Sequence, residues 1–311
     1  MKNKNTLPVP VRPKHKRTKA QIRKDVTGYI FILPIVINLI VFHLYPLISS
    51  FYLSFTEYNI ISPAKFIGWD NYKKMFLEDP IIWASLKVTF KYAIISVPLS
   101  LAVSLLVAVI MTYPSRMTNF YRVIFYIPSL IGGGVACATV WKMVWKIDGP
   151  VNMALQSMGL EPIRWMTDTK LALYNIILLG VWQFGGQMII FLAALKNVPK
   201  ELLEAAKVDG ATPIKSFFKI TLPIVTSAIF FNLINGIISA LQQFNAAFLV
   251  TQGGPLNSTR LYGLYQYTQA FEYQHFGYAS AMAWFLTVII VAMTAVVFKS
   301  SSTWVYYQDE G

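Results

Sequence analysis

The sequence is poor in charge, in cysteine and in histidine. Of its 311 residues 13% are Asp, Glu, Lys or Arg, Cys137 is the single cysteine, and there are three histidines. One cysteine excludes a disulfide framework and a cysteine metal site. Long stretches carry no charge at all: Asp, Glu, Lys and Arg are absent from 26–56, 92–115, 123–141, 171–195, 220–259 and 273–298. A charge-free apolar run of about 20 residues is long enough to cross a bilayer, so these make six candidate spans. None holds the intramembrane carboxylate on which an ion-coupled transporter usually relies. Gly132-Gly133-Gly134 has no Gly-Lys-Ser/Thr after it and lies at membrane depth. Close helix packing or local unwinding accounts for it better than a phosphate loop. No nucleotide-binding loop occurs elsewhere, and no polar catalytic cluster marks either face, so covalent chemistry and ATP hydrolysis are expected of other chains.

What is present is apolar bulk and positive charge: 55% hydrophobic residues and a net charge of +13. Nine of the Lys/Arg fall in residues 1–25, which read as a basic tail ahead of a transmembrane domain over 26–311. Taking the loops alternately, 17 Lys/Arg lie on the tail's side and 10 on the other, where eight acids offset them. The positive-inside rule then puts both termini and the 196–219 loop in the cytoplasm. The tail is a topology signal facing anionic lipid, and with no basic domain behind it nucleic-acid binding is not expected. The first span reads as 28–52, with His43 as a hydrogen-bonded packing residue. Trp69, Tyr72 and Phe76, at i, i+3 and i+7, suggest a short interfacial helix beyond it. The second, third and last spans read as about 88–112, 123–145 and 278–298. The run from 220 is too long for one helix, and Gln252-Gly253-Gly254-Pro255 ends it near residue 251.

The interval from Lys196 to Pro223 is the charged text between two spans. Pro199 suits a helix start, with Glu201 and Glu204 favoured by the helix dipole. Gly210 is a natural stop, and Thr212 caps a second helix entered at Pro213. The spacing predicts a helix over about 199–209, a turn at 209–212 and a second helical piece. Ala205 and Ala206 offer a small-residue patch for another surface. Glu204-Ala205-Ala206, Asp209-Gly210-Ala211 and then Phe218-Lys219-Ile220 with Leu222-Pro223 resemble the coupling loop of ABC importer permeases, in the branch that carries carbohydrates. The resemblance extends over nearly all of the chain after residue 25, through Gly253-Gly254-Pro255 and Phe276-Gly277-Tyr278-Ala279. The large outer insertion of the family's maltose member is absent.

The spans on either side of that loop hold unusual polar residues. Gln183, Gly186 and Gln187 share a helical face, and Asn232, Asn235, Gly236, Ser239, Gln242 and Gln243 recur at steps of three and four. Amides inside a bilayer are costly unless paired, so this stripe faces protein or water. Interhelical hydrogen bonding and a path for an uncharged, hydroxyl-rich solute explain it equally well. The resemblance implies sugar-contact positions at Gln183, Gly186, Gly236, Ser239, Ala240 and Gln243, several of them differing in type from the maltose member.

The expectation is an all-α polytopic membrane protein of six transmembrane helices with the type I ABC importer permease fold. The function expected is passage of a sugar or oligosaccharide through an ATP-driven importer. The resemblance implies a second related permease, two ATPase subunits holding ATP and magnesium, and an extracytoplasmic sugar-binding protein, with no cofactor on this chain. An ion-coupled secondary transporter of a small polar solute is the alternative.

Overall fold

In a bilayer core each backbone N–H and C=O must be satisfied within its own segment, so apolar runs become helices. The computed structural model describes residues 19–113, 117–131 and 133–306. Most of the basic tail, Arg116, Gly132 and residues 307–311 lie outside the described residues. Among the described residues strand pairing is confined to β1 (Thr56–Glu57) and β2 (Lys65–Phe66), an antiparallel pair with Thr56 opposite Phe66.

The chain divides into a unit ending at Tyr52 and one beginning at Leu53. In the first, α1 (Lys19–Asn38) runs through a wide turn at Leu39–Leu44 into α2 (Tyr45–Leu53). The Tyr45 N–H reaches back to the Ile40 carbonyl there, and His43 Nδ1 lies 3.4 Å from the Asn38 carbonyl of its own helix. Residues 27–53 are long and apolar enough to cross a membrane.

In the second unit α3 (Asp70–Lys73) is a short helix that widens over Lys74–Glu78. Trp69 and Tyr72 pack around Phe55 with ring centroids 5.1 and 5.5 Å away, while the wide turn carries Phe76 off to Trp83 and Phe285. The aromatic side of the predicted interfacial helix is therefore split in two. Next, α4 (Pro80–Ile110) is one 31-residue helix starting eight residues before the expected 88. Asp79 caps it and Pro80 occupies its first position, a start signal that the charges of Lys87 and Lys91 obscured. Both lysines are exposed, and Lys91 sits 4.9 Å above the Tyr174 ring.

The third predicted span is two helices, α5 (Thr118–Ile131) and α6 (Val135–Trp145), with Gly133 and Gly134 between them. After α7 (Pro150–Ser157) comes a second broken pair, α8 (Ala172–Trp182) and α9 (Gly185–Lys196), bent by 45°. The intervening loop forms α10 (Lys200–Val208) and α11 (Pro213–Ser216), then α12 (Leu222–Ile224) and α13 (Thr226–Leu241) meet at a 66° bend. α13 stops at Leu241, where the Gln243 side chain takes the Ala246 N–H (3.5 Å); a wide helical turn over Ala247–Thr251 then carries the run to the end expected near 251, with Gln252 left-handed at φ +49°. α14 (Tyr262–Tyr267) and α15 (Phe276–Ser301) complete the chain. Three helices are long and apolar enough to cross a membrane, and counting each of three bent pairs as one span gives up to six, the number read from the sequence.

The main core joins α4, α8, α13, α14 and α15 around Ile176, Leu241, Tyr262 and Met282. A second core beside the 196–223 loop holds Ala108, Met188, Phe191 and Val225.

Candidate functional site: a polar chamber and a surface loop

α4, α8, α9 and α13 line an open chamber of about 490 Å³. Gln183, Gly186, Gln187, Asn232, Asn235, Gly236, Ser239, Ala240 and Gln243 all line it. Gln242 does not: it is exposed, one residue beyond the end of α13. The sequence reading missed one wall. Tyr92, Ser96 and Ser100 line the chamber from α4, and Ser129 from α5.

The break at Gln183–Phe184 makes this arrangement possible. A continuous helix would pair its backbone groups internally, whereas a fresh start at Gly185 leaves first-turn N–H groups open beside the chamber. Gly180 matters because a Cβ there would lie 2.6 Å from the Tyr92 hydroxyl. That hydroxyl accepts from Gln243 Nε2 at 3.4 Å, and Ser100 Oγ donates to Gln187 Oε1 at 2.8 Å. Asn232 is buried, with Nδ2 3.5 Å from the Gln187 carbonyl, and Asn235 Nδ2 donates to the Phe231 carbonyl at 2.8 Å. Ser96 Oγ is buried without a hydrogen bond of good geometry. Among the described residues no Asp, Glu, Lys, Arg or His lines the chamber.

The surface loop follows its sequence signals closely. Pro199 precedes α10, Gly210 turns the chain at φ +74°, and Thr212 Oγ1 accepts the Lys215 N–H at 3.3 Å to cap α11. The Ala211 N–H returns to the Ala206 carbonyl at 2.9 Å and closes the turn. Glu204, Ala205, Asp209 and Gly210 are exposed, Ala211 is half-buried and Ala206 is buried. The two alanines thus do not form one patch. Neighbours on a helix diverge by about 100°, so Ala205 faces out while Ala206 packs inward. Between this loop and the end of α4 runs an apolar groove of about 640 Å³, lined by Val109, Leu195, Val198, Leu203 and Phe217.

Residues 99–307, which include most of the chamber and the whole loop, match the family described as "binding-protein-dependent transport system inner membrane component". The chain belongs to that family. This permease is 48% identical over 293 residues to the probable ABC transporter permease protein YesP of Bacillus subtilis (strain 168), covering 93% of this chain and 95% of that one. It is 32% identical to the lactose transport system permease protein LacF of Rhizobium radiobacter, covering 89% and 94%. A crystal structure of a bacterial alginate ABC transporter, in complex with alginate pentasaccharide-bound periplasmic protein, contains a chain of the same fold. The TM-score is 0.80 at 21% identity, over 92% of this permease and 97% of that chain. The fold is thus mostly helical and of the importer-permease type, and an ABC importer permease is the function. The ion-coupled alternative has no support from this membership.

At the Asp79 end of α4, opposite the loop, the permease carries a second polar cluster. Asp79 Oδ2 accepts the hydroxyls of Tyr265 and Tyr278, both at 2.7 Å. Burial, and then the Asp79 carboxylate beside it, push the Tyr265 phenol well above its usual range, so it stays a donor. His275 Nδ1 lies 3.0 Å from Gln269 Oε1, and burial together with the Lys74 cation lowers its pKa from the ordinary 6.5. On the 146–170 loop a hydrogen bond from Lys146 lowers the Asp148 pKa.

Proposed function

We propose that this permease is one of two related membrane subunits of an ATP-driven importer, and that it passes an uncharged sugar or oligosaccharide. ATP hydrolysis is assigned to separate subunits, and delivery to an extracytoplasmic sugar-binding protein. The observation that carries the reading is a chamber lining in which amides and hydroxyls are set among apolar and small residues such as Val97, Ile190, Phe231 and Gly236, with no charged side chain among the described residues. Such a surface exchanges hydrogen bonds with sugar hydroxyls without the desolvation penalty of a buried ion. An acidic polysaccharide such as alginate would need cations that this wall lacks. The relative named for lactose supports the same solute class.

The chamber residues Gln183, Gly186, Gln187, Asn232, Asn235, Gly236, Ser239, Ala240 and Gln243 are the proposed solute path. Glu204, Ala205, Asp209, Gly210 and Ala211 are the proposed docking surface for an ATPase subunit, with Ala206 supporting them from beneath. The charge asymmetry puts that loop and both termini in the cytoplasm. The test is uptake into proteoliposomes carrying the transporter with its co-purified subunits and binding protein. Neutral oligosaccharides should enter on ATP addition, and collapse of the proton gradient should change nothing. Uptake confined to anionic sugars, or lost with the proton gradient while ATP remains, would sink the proposal.

A further inference from the structure

Asp79 uses its two carboxylate oxygens differently. Oδ1 accepts the Ile81 N–H at 3.0 Å and caps α4. Oδ2 holds Tyr265 of α14 and Tyr278 of the first turn of α15, each at 2.7 Å, from 186 and 199 residues downstream. The Tyr265 hydroxyl accepts from Gln269 Nε2 at 2.8 Å, and the Lys74 ammonium lies 4.9 Å above the Tyr278 ring. Capping a helix needs one acceptor, and Ser, Thr or Asn would supply it. Two short O–H bonds onto a second, charged oxygen exceed that requirement and are of the stronger kind.

The helix fastened in this way is the chamber wall. Tyr92 lies about 20 Å down α4 from Asp79 at 1.5 Å per residue, with Ser96 one turn further. Pro98 follows inside the same helix, where its missing N–H removes a backbone hydrogen bond and makes a natural pivot. The half of α4 between Asp79 and Pro98 is thus fastened at Asp79, held further along where Thr89 Oγ1 accepts the Tyr262 N–H at 2.8 Å and Tyr92 accepts from Gln243 at 3.4 Å, and weakened at Pro98.

We propose that Asp79 is a positioning residue for transport: its carboxylate latches the near half of α4 to α14 and α15, and release of the two tyrosines lets that half tilt about Pro98 and open the chamber on that side. The latch acts through α4 and touches no solute. It rests on the chamber being the solute path.

Asp79→Asn keeps the cap and weakens the latch, because Asn caps a helix as well as Asp does while its uncharged amide nitrogen cannot accept a tyrosine proton and can only donate to the phenol oxygens. The paired change Tyr265→Phe with Tyr278→Phe removes the same bonds from the other side. The readout is labelling of Ser239→Cys, in a Cys137→Ala background, by a membrane-impermeant maleimide from the Asp79 side, in the whole transporter without nucleotide. Each variant should label at least about tenfold faster, since even one of the two charge-assisted hydrogen bonds lost is worth that factor. Combining them should add nothing, since the same contacts are gone. Unchanged labelling in both, additive effects, or acceleration only in step with lost assembly would overturn the latch. Should Asp79→Asn fail to assemble, the tyrosine pair alone decides. Protection of Ser239→Cys by added solute tests the chamber separately: no protection would count against the solute path while the labelling rates still judge the latch.

Discussion

Gln243 is held at both ends of its amide, by the Tyr92 hydroxyl at 3.4 Å and the Ala246 N–H at 3.5 Å. Losing one neutral hydrogen bond costs about 0.5–1.5 kcal/mol, so Gln243→Ala should weaken uptake severalfold without abolishing it. Gly236→Leu should do more, since even a Cβ there would lie 3.1 Å from Val97 Cγ1 before the larger side chain filled the chamber. Both are read as uptake per assembled transporter; normal per-complex uptake with reduced assembly would leave these residues a packing role only. His275 gives a pH prediction. Its lowered pKa means the unfolded chain binds the proton more readily, so its share of stability is full above about pH 6.5 and is lost as pH falls through the folded value. The unfolding midpoint of the purified transporter should drop between pH 7.5 and 5.5, and His275→Gln should flatten that slope; an equal slope in the variant refutes the assignment. Most chamber residues were legible because buried amides stand out in an apolar run. Gln242 was misread because the helical period was carried past Leu241. Tyr92, Ser96 and Ser100 recur at exact four-residue steps on α4, a stripe as periodic as the others, but hydroxyls blend into apolar text where amides do not.

At the scale of elements, the 196–223 loop was the most legible part because each boundary carries its own local chemistry. Proline before α10, a left-handed glycine and a threonine cap depend on adjacent residues alone. Gly210→Pro should abolish transport while sparing membrane insertion, because φ near −65° cannot replace +74° at this turn. Glu204→Lys should act similarly, since a reversed charge in a partly desolvated interface repels its partner. Undiminished uptake by either variant at matched abundance would count against the docking role. Of the broken spans, the one at Gly133–Gly134 was foreshadowed by its glycine run, and the other two were not legible. The 45° bend at Gln183–Phe184 and the 66° bend before Thr226 lie in apolar runs whose composition barely changes across the break. Tertiary packing sets them, with Gly185 pressed against the backbone of Phe125 and Tyr126.

For the whole molecule, alternation of six spans fixes which loops share a side. A tag inserted in the 196–219 loop should be shielded from an impermeant reagent applied to intact cells, and one at 256–259 should react. External labelling of the first site would overturn the orientation drawn from the lysine and arginine count. The number of spans was readable because charge is excluded from lipid along the entire chain, a rule indifferent to bends. Which spans meet was not readable, because contacts such as Tyr262 N–H to Thr89 Oγ1 at 2.8 Å join residues 173 apart.

The uncharged lining of the chamber also has an electrical consequence. Carrying one elementary charge through a membrane potential of 100 mV involves about 2.3 kcal/mol. On the proposed path a neutral sugar would cross without that work, and its passage would be electrically silent. With no imidazole or carboxylate in the wall, the chamber also offers no side chain that titrates near neutrality to ferry protons alongside the solute. The proposed path would then leave the cell's ion gradients neither drawn on nor drained by each round of uptake.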